Sequence, residues 1–206
     1  MSKFVEVHPI NPQPRTISRA VSILRDGGVI AYPTDSGFAL GCAMGNLEGQ
    51  ERIAKIRGVG IKHNFTLICA NFAQAGPLVL LDNAGFRLVK RLTPGPYTFI
   101  IEGTKEVPKS SLNSKKKTIG IRISPYPVVQ SLVTELGSPL VSSSLIAPEG
   151  NEVYTDGWSV FEDFEHQLDL VIDAPIESAQ PTSVIDLTAA PPEVIRVGSG
   201  DVSFLD

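Results

Sequence analysis

The residues able to do chemistry lie where short apolar runs end. Tyr32-Pro33-Thr34-Asp35-Ser36-Gly37 places hydroxyls and a carboxylate on a turn. Arg57, Lys62, His63, Asn64 and Thr66 fall within one short stretch. Thr118-Ile119-Gly120-Ile121-Arg122 sets a guanidinium in an otherwise apolar strand. Val141-Ser142-Ser143-Ser144 ends a strand in hydroxyls, and Pro181-Thr182-Ser183-Val184-Ile185-Asp186 opens one with them. Arg196 is the one base after residue 148. Hydroxyls and cations converging at strand ends suit a polyphosphate or a carboxylate. A guanidinium on a half-buried strand is costly unless compensated. Arg122 and Arg196 therefore meet either an anionic ligand or a structural carboxylate such as Asp35 or Asp186.

Common motifs of other chemistries are absent. There is no GxxxxGK[ST], and no GxGxxG opens a helix. GxSxG and HExxH are also missing. His8 is near the start and His166 lies in an acidic stretch read as helical, so among the histidines only His63 has suggestive neighbours. Cys42 and Cys69 form no CxxC and, with three histidines, no zinc set, so no protein metal site is expected. A reduced, cytoplasmic protein is the expectation. No apolar run approaches the ~18 residues of a membrane span, and residues 1–10 lack a signal-peptide pattern.

The 206 residues are 42% hydrophobic and 19% charged, which supports a sizeable core, excludes a disordered chain and predicts one domain over 1–206. The net charge of −4 conceals a polarity of +8 up to Pro148 and −12 beyond it. The basic part suits an anionic partner. The alternative is that the two parts attract each other and the charges are solvated surface.

The elements that must position these groups alternate. Helical spacing of apolar residues predicts helices over 16–25, 47–57, 83–92 and 127–136. Short apolar runs predict strands over 29–32, 65–70, 97–102, 118–123, 140–143, 168–172, 183–187 and 193–197. Around nine strands with four or five helices indicate an α/β fold with a twisted, open, mixed sheet. Residues 103–117 read as an exposed basic loop and 146–158 as a mobile connector.

At these residues the chain resembles the YrdC/YciO family, the fold of threonylcarbamoyl-adenylate synthases. The resemblance spans nearly the whole chain. It rests on Tyr32-Pro33-Thr34-Asp35-Ser36 with Leu40-Gly41-Cys42, on Pro94-Gly95-Pro96-Tyr97-Thr98 and on Gly120-Ile121-Arg122. It continues through Pro139-Leu140-Val141-Ser142-Ser143-Ser144, Ser183-Val184-Ile185-Asp186 and Arg196-Val197-Gly198. The run His63-Asn64-Phe65-Thr66-Leu67 looks most like the YciO branch.

The resemblance implies a YrdC/RibB-like fold with a concave basic face. It also implies use of ATP with Mg²⁺, L-threonine and bicarbonate to give threonylcarbamoyl-AMP, which supplies a tRNA adenosine modification. By that likeness Arg57, Arg122 and Arg196 would hold phosphates or a carboxylate, with Thr34, Ser36, Ser142, Ser144 and Ser183 donating hydrogen bonds. Lys62, Asn64 and Thr66 would belong to the same site. In a hydrolytic version His63 or Asp35 would orient a water against the adenylate.

Three departures fall at the site. Synthases carry Lys-x-Arg where this chain has Arg57 and Val59, Ser-x-Asn where it has Ser144 and Ile146, and Thr-Val-Tyr-Gly where it has Ser36-Gly37-Phe38-Ala39. Weak synthesis is the expectation, with Lys62, His63 and Asn64 replacing part of the missing chemistry. The alternative is a non-catalytic protein that binds double-stranded RNA or tRNA through the same face. Lys105, Lys109, Lys115, Lys116 and Lys117 would then contact phosphates by shape. The acidic tail is expected to pack on the back or rim of that face.

Overall fold

The computed structural model describes residues 3–60, 63–146, 152–176 and 179–205. The chain begins with β1 (Phe4–Glu6), α1 (Pro14–Arg25), β2 (Ile30–Thr34), β3 (Gly37–Ala43), α2 (Leu47–Ile56) and β4 (Thr66–Ile68). It continues with α3 (Phe72–Ala75), β5 (Val79–Leu80), α4 (Asn83–Leu92), β6 (Tyr97–Gly103), β7 (Thr118–Arg122) and α5 (Pro127–Leu136). β8 (Leu140–Ser144), α6 (Gly157–Phe164), β9 (Leu170–Asp173), β10 (Ser183–Asp186) and β11 (Glu193–Arg196) complete it.

Local chemistry sets the helix ends. α1 starts with proline at its first turn, where no amide hydrogen is needed, and buries Ile17, Ala20, Val21 and Leu24 along one stripe. Asn46, Asp82 and Asp156 cap α2, α4 and α6 by accepting from backbone amides three residues on. α5 stops at Gly137, whose φ of 76° is left-handed.

All the strands join one open mixed sheet, in the order β1-β9-β2-β3-β8-β4-β7-β6-β10-β11, with β5 attached to β6. Four pairings are parallel, β1 with β9, β2 with β9, β4 with β7 and β6 with β10; the others are antiparallel. The sheet is therefore the twisted mixed α/β type that the alternating pattern indicates.

Two hydrophobic clusters cover its faces unequally. One includes Phe99, Ile101, Ile119, Ile121, Val141 and Ile185 and extends along the sheet as far as Val171. The other packs α1 and α5 on Ile30, Tyr32, Leu170 and Ile172, and reaches no further than Ile68 of β4. Beyond Ile68, that second face of β7, β6 and β10 has no buried apolar layer over it among the described residues. This uncovered half of the face is where a site can form.

The structure adds elements beyond the periodicity. The described residues hold eleven strands and six helices. The stretch from Gly37 to Ala43, to which the apolar pattern assigns no element, is the seven-residue strand β3. It is buried on both faces, so its Phe-Ala-Leu-Gly-Cys run shows no alternation to read. Gly37 makes the reversal from β2 with φ 104°, and a Cβ there would strike Val153. The connector expectation over 146–158 fails at its described residues. Ile146 bridges to Val153, and Asp156 caps α6, which runs through Phe164. Residues 147–151 lie outside the described residues. His166 sits in a turn just after α6, with a side chain 92% exposed.

Candidate functional site

Strand alternation builds the floor of the site. Successive side chains point to opposite faces, so Phe99, Ile101, Ile119 and Ile121 enter the core while Thr98, Ile100, Gly120 and Arg122 turn the other way. Register aligns the second set, with Thr66 opposite Gly120, Ile68 opposite Arg122, Thr98 opposite Val184 and Ile100 opposite Asp186. Gly120 keeps the floor open, since a Cβ there would lie 2.7 Å from Thr66 Oγ1.

Walls rise around this floor to enclose a cavity of about 610 Å³, a size that holds a small ligand. Arg57, His63 and Asn64 come from the connection between α2 and β4. Asn113 and Lys116 come from the segment between β6 and β7, and Ser142, Ser143, Ser144 and Ile146 from the end of β8. Ile195 and Arg196 of β11 form the far wall. The acidic tail thus contributes one side of the cavity. Four cations and a single carboxylate, Asp186, line it among the described residues. The concave face is therefore basic although the chain is acidic.

The three guanidiniums are held differently. Arg122 is 6% exposed. Its Nη2 donates to Asp35 Oδ1 at 2.7 Å, while its buried Nε has no partner. Ser124 Oγ donates to the same Asp35 oxygen. Arg196 pairs with no carboxylate among the described residues; its Nε and Nη2 donate to the Thr182 carbonyl at 3.0 and 2.8 Å. Burial, and then the charge of Arg122, lower the Arg196 pKa. Arg57 Nη1 donates to Ser143 Oγ at 2.8 Å and to the Ser144 carbonyl, and its buried Nε is also unpartnered. Burial lowers the Arg57 pKa as well. His63 Nε2 lies 2.8 Å from Ser143 Oγ, and burial followed by the Arg57 charge holds its pKa below the usual imidazole value.

Most residues singled out in the sequence meet here. Thr34, Arg57, His63, Asn64, Thr66, Lys116, Arg122, Ser142, Ser144 and Arg196 all line the cavity. Asn64 is fixed by Asn113, whose Nδ2 donates to its Oδ1 at 2.8 Å. Ser142 Oγ is engaged by Tyr32 Oη at 2.7 Å and the Leu40 carbonyl at 2.9 Å.

Other expectations need correction. Ser183 is fully buried, pointing away from the cavity with Ile185, and its Oγ donates to the Gly200 carbonyl. Alternation along β10 gives the ligand face to Thr182, Val184 and Asp186 instead. Ser36 does not line the cavity, because it is buried against Thr34, with the two hydroxyl oxygens 3.2 Å apart. Asp35 does not line it either; its Oδ1 is committed to Arg122 and Ser124, so it holds an arginine rather than a water. Arg122 follows the carboxylate alternative, with Asp35; Arg196 does not pair with Asp186. Lys62 lies outside the described residues. Lys105, Lys109, Lys115 and Lys117 are exposed and away from the cavity lining. Their segment is not a free loop, since Val107 and Ser111 are buried and Gln50 Nε2 reaches Ser111 Oγ at 3.1 Å.

Ser143, Thr98, Thr182, Asn113 and Asp186 are cavity residues that the sequence reading left out of the site. The period-two pattern through Thr182, Val184 and Asp186 carried the signal for two of them.

Comparison with known proteins agrees with this geometry. The family model described as telomere recombination, Sua5/YciO/YrdC, matches residues 22–198. The YciO protein of Escherichia coli K12 is 47% identical over 202 residues, 98% of each chain. Its crystal structure superposes with a TM-score of 0.93 at 46% identity, covering 98% of each chain. A threonylcarbamoyl-AMP synthase of Coxiella burnetii is 31% identical over 185 residues, 89% of this chain and 97% of the relative. The Sua5 structure of P. abyssi, complexed with L-threonine, shares the fold with a TM-score of 0.87 at 24% identity, over 96% of this chain and 58% of that one. With this sheet, this cavity and these matches, the chain belongs to the Sua5/YciO/YrdC family, on the YciO branch and related to the threonylcarbamoyl-AMP synthases.

Proposed function

We propose that the protein binds an adenylate, either ATP or threonylcarbamoyl-AMP, in this cavity. The observation that carries the reading is the convergence of Arg57, Arg122 and Arg196 on one cavity lined by a single carboxylate among the described residues. Ile68, Ile100, Ile146, Val184 and Ile195 supply an apolar lining beside the cations. That pairing of surfaces suits a ligand with an anionic and a flat apolar part, as a nucleotide has. The synthase name of the Coxiella relative supports an adenylate, and the L-threonine in the P. abyssi structure supports its threonyl part.

Magnesium would travel with the phosphates. No group of three or more His, Cys, Asp or Glu side chains among the described residues could hold a metal, and Asp186 is the one carboxylate lining the cavity. A nucleotide-bound Mg²⁺ needs only one or two protein oxygens, so the residues fit that mode and no other. Asp186 would be the protein ligand, its Oδ1 already accepting from Thr188.

Synthesis of threonylcarbamoyl-AMP would be weak, because Val59, Ile146 and Phe38 stand where synthases carry a cation, an amide and a phenol. Equilibrium titration with ATP, AMP and threonylcarbamoyl-AMP tests the reading. ATP should bind, and Arg196→Ala should weaken binding about tenfold or more, one charge-assisted bond being worth about 1.5–3 kcal/mol. Failure of all three ligands to bind would end it.

A second reading, duplex RNA binding without catalysis, is favoured by one observation. Lys116 stands in the cavity wall, and Lys105, Lys109, Lys115 and Lys117 are exposed on the same segment. RNA phosphates could follow that segment from the cavity outward. Duplex RNA in the same titration separates the two readings.

A further inference from the structure

Three serines end β8, and their surroundings differ. Ser142 Oγ is occupied by Tyr32 and the Leu40 carbonyl. Ser144 is exposed, and its carbonyl accepts from Arg57. Ser143 alone faces a base, with its Oγ 2.8 Å from His63 Nε2 and 2.8 Å from Arg57 Nη1.

Donor counting fixes the direction of the Arg57 bond and leaves the hydroxyl hydrogen free for His63. A guanidinium only donates, so Ser143 Oγ accepts from Arg57. The hydroxyl has one hydrogen, which is left for His63. When His63 is neutral with its proton on Nδ1, its Nε2 accepts that hydrogen at the 2.8 Å separation. Burial and the neighbouring Arg57 charge both favour that neutral form. The T-shaped contact with Phe65, centroids 5.2 Å apart, holds the ring in place. A hydroxyl hydrogen-bonded to a neutral imidazole, with a cation against its oxygen, is the arrangement of an activated nucleophile. All three side chains belong to residues that line the cavity, where the connection after α2 crosses the end of β8.

We propose that Ser143 is a nucleophile, with His63 as its base, that cleaves the carbamoyl–phosphate mixed anhydride of an adenylate. The proposal rests on the adenylate reading above and adds a reaction to it. Ser143 Oγ attacks the carbamoyl carbon of threonylcarbamoyl-AMP while its proton passes to His63 Nε2. The carbon–oxygen bond to the phosphate breaks, and AMP leaves with that electron pair, its charge met by Arg57. His63 gives its proton to the departing phosphate; water then attacks the carbamoyl-serine with His63 as base, the carbon–Oγ bond breaks, and Ser143 Oγ takes that proton back from His63. The sum is threonylcarbamoyl-AMP plus water giving AMP and N-carboxythreonine, a carbamate that loses carbon dioxide to leave threonine. No oxidant, reductant or further reactant is needed. Val59 and Ile146 weaken assembly of the adenylate, but neither belongs to this trio.

The test uses the full chain in two independent assays, with ATP and AMP binding measured on the same preparation. Threonylcarbamoyl-AMP is supplied and AMP release followed. In parallel a fluorophosphonate, which reacts with activated serines, is added and the modified residue located by mass spectrometry. Expected results are AMP release that falls at least about 100-fold in Ser143→Ala and in His63→Gln, and labelling at Ser143 that is lost in His63→Gln. Ser143→Cys keeps a nucleophile of nearly the same size and should retain folding and measurable release, which guards against a folding defect in Ser143→Ala. Full release by a folded Ser143→Ala overturns the proposal. So does the absence of both release and labelling in protein that binds ATP. Labelling of Ser143 without release overturns the choice of the mixed anhydride as substrate. Absence of adenylate binding defeats the earlier reading separately, because the fluorophosphonate reports on the nucleophile without it.

Discussion

Asp35 and Arg122, 87 residues apart in the chain, meet across the sheet with Oδ1 and Nη2 2.7 Å apart, and their side chains are 18% and 8% exposed. The pair does two things at once. It neutralises a guanidinium that would otherwise be costly on a buried strand. It also anchors one end of that guanidinium while the Nε remains without an acceptor. Asp35 is therefore a positioning residue.

The pair makes the two arginines unequal under mutation. Arg122→Ala leaves Asp35 with Ser124 alone, and should cost about 3 kcal/mol of stability, the order found for breaking a buried pair. Arg196→Ala removes hydrogen bonds to Thr182 and relieves the repulsion from Arg122, and should cost about 1 kcal/mol or less. Urea denaturation measures both, and Asp35→Asn combined with Arg122→Ala should recover part of the loss. Equal costs for the two arginines would contradict this account.

Synthesis should respond to the cavity residue Ile146. Turnover of ATP, threonine and bicarbonate to threonylcarbamoyl-AMP is expected to be far below that of a synthase with the intact motif. Ile146→Asn returns an amide to the cavity wall and should raise product formation by about tenfold, one hydrogen bond of about 1.4 kcal/mol. Ordinary synthase turnover in the unaltered protein, followed by product assay, would refute the expectation.

Both thiols should be silent in the native protein. Cys42 and Cys69 are fully buried, and burial pushes each pKa up to about 12. A raised thiol pKa favours the neutral form, so at pH 8 the reactive thiolate is scarcely populated. A disulfide reagent added at that pH should titrate no thiol before denaturation and two after it. Rapid native reaction at either cysteine would mean that the core opens.

Duplex RNA, if it binds, should do so through charge alone. Affinity should fall steeply with salt and ignore base sequence, as counterion release requires. Reversing Lys115, Lys116 and Lys117 to Glu should abolish it. Of these Lys116 lines the cavity, so ATP affinity should change as well in the triple variant but not in Lys105→Glu. Binding that is flat between low and moderate salt would exclude this partner.

Much of the fold is legible along the chain because its determinants are local. Apolar spacing marks α1, α4 and α5, and proline or glycine punctuates their ends. β3 is hidden because a strand buried on both faces has no alternation, and the start of α6 because its cap, Asp156, follows an irregular stretch. The residue types of a phosphate or carboxylate cradle, Arg57, Thr34, Arg122 and Arg196, also stand out in the sequence, since unpaired cations among apolar neighbours are chemically conspicuous. Which of them share a cavity is a matter of register between strands distant in the chain. Only that register decides that Thr182 and Asp186 face the cavity while Ser183 faces the core, a difference of one residue on β10. Only tertiary contact gives Asp35 to Arg122 and leaves Arg196 without a carboxylate among the described residues. Sequence spacing specifies which side chains alternate; the packing of α1 and α5 over half of one face decides which half stays open to a ligand.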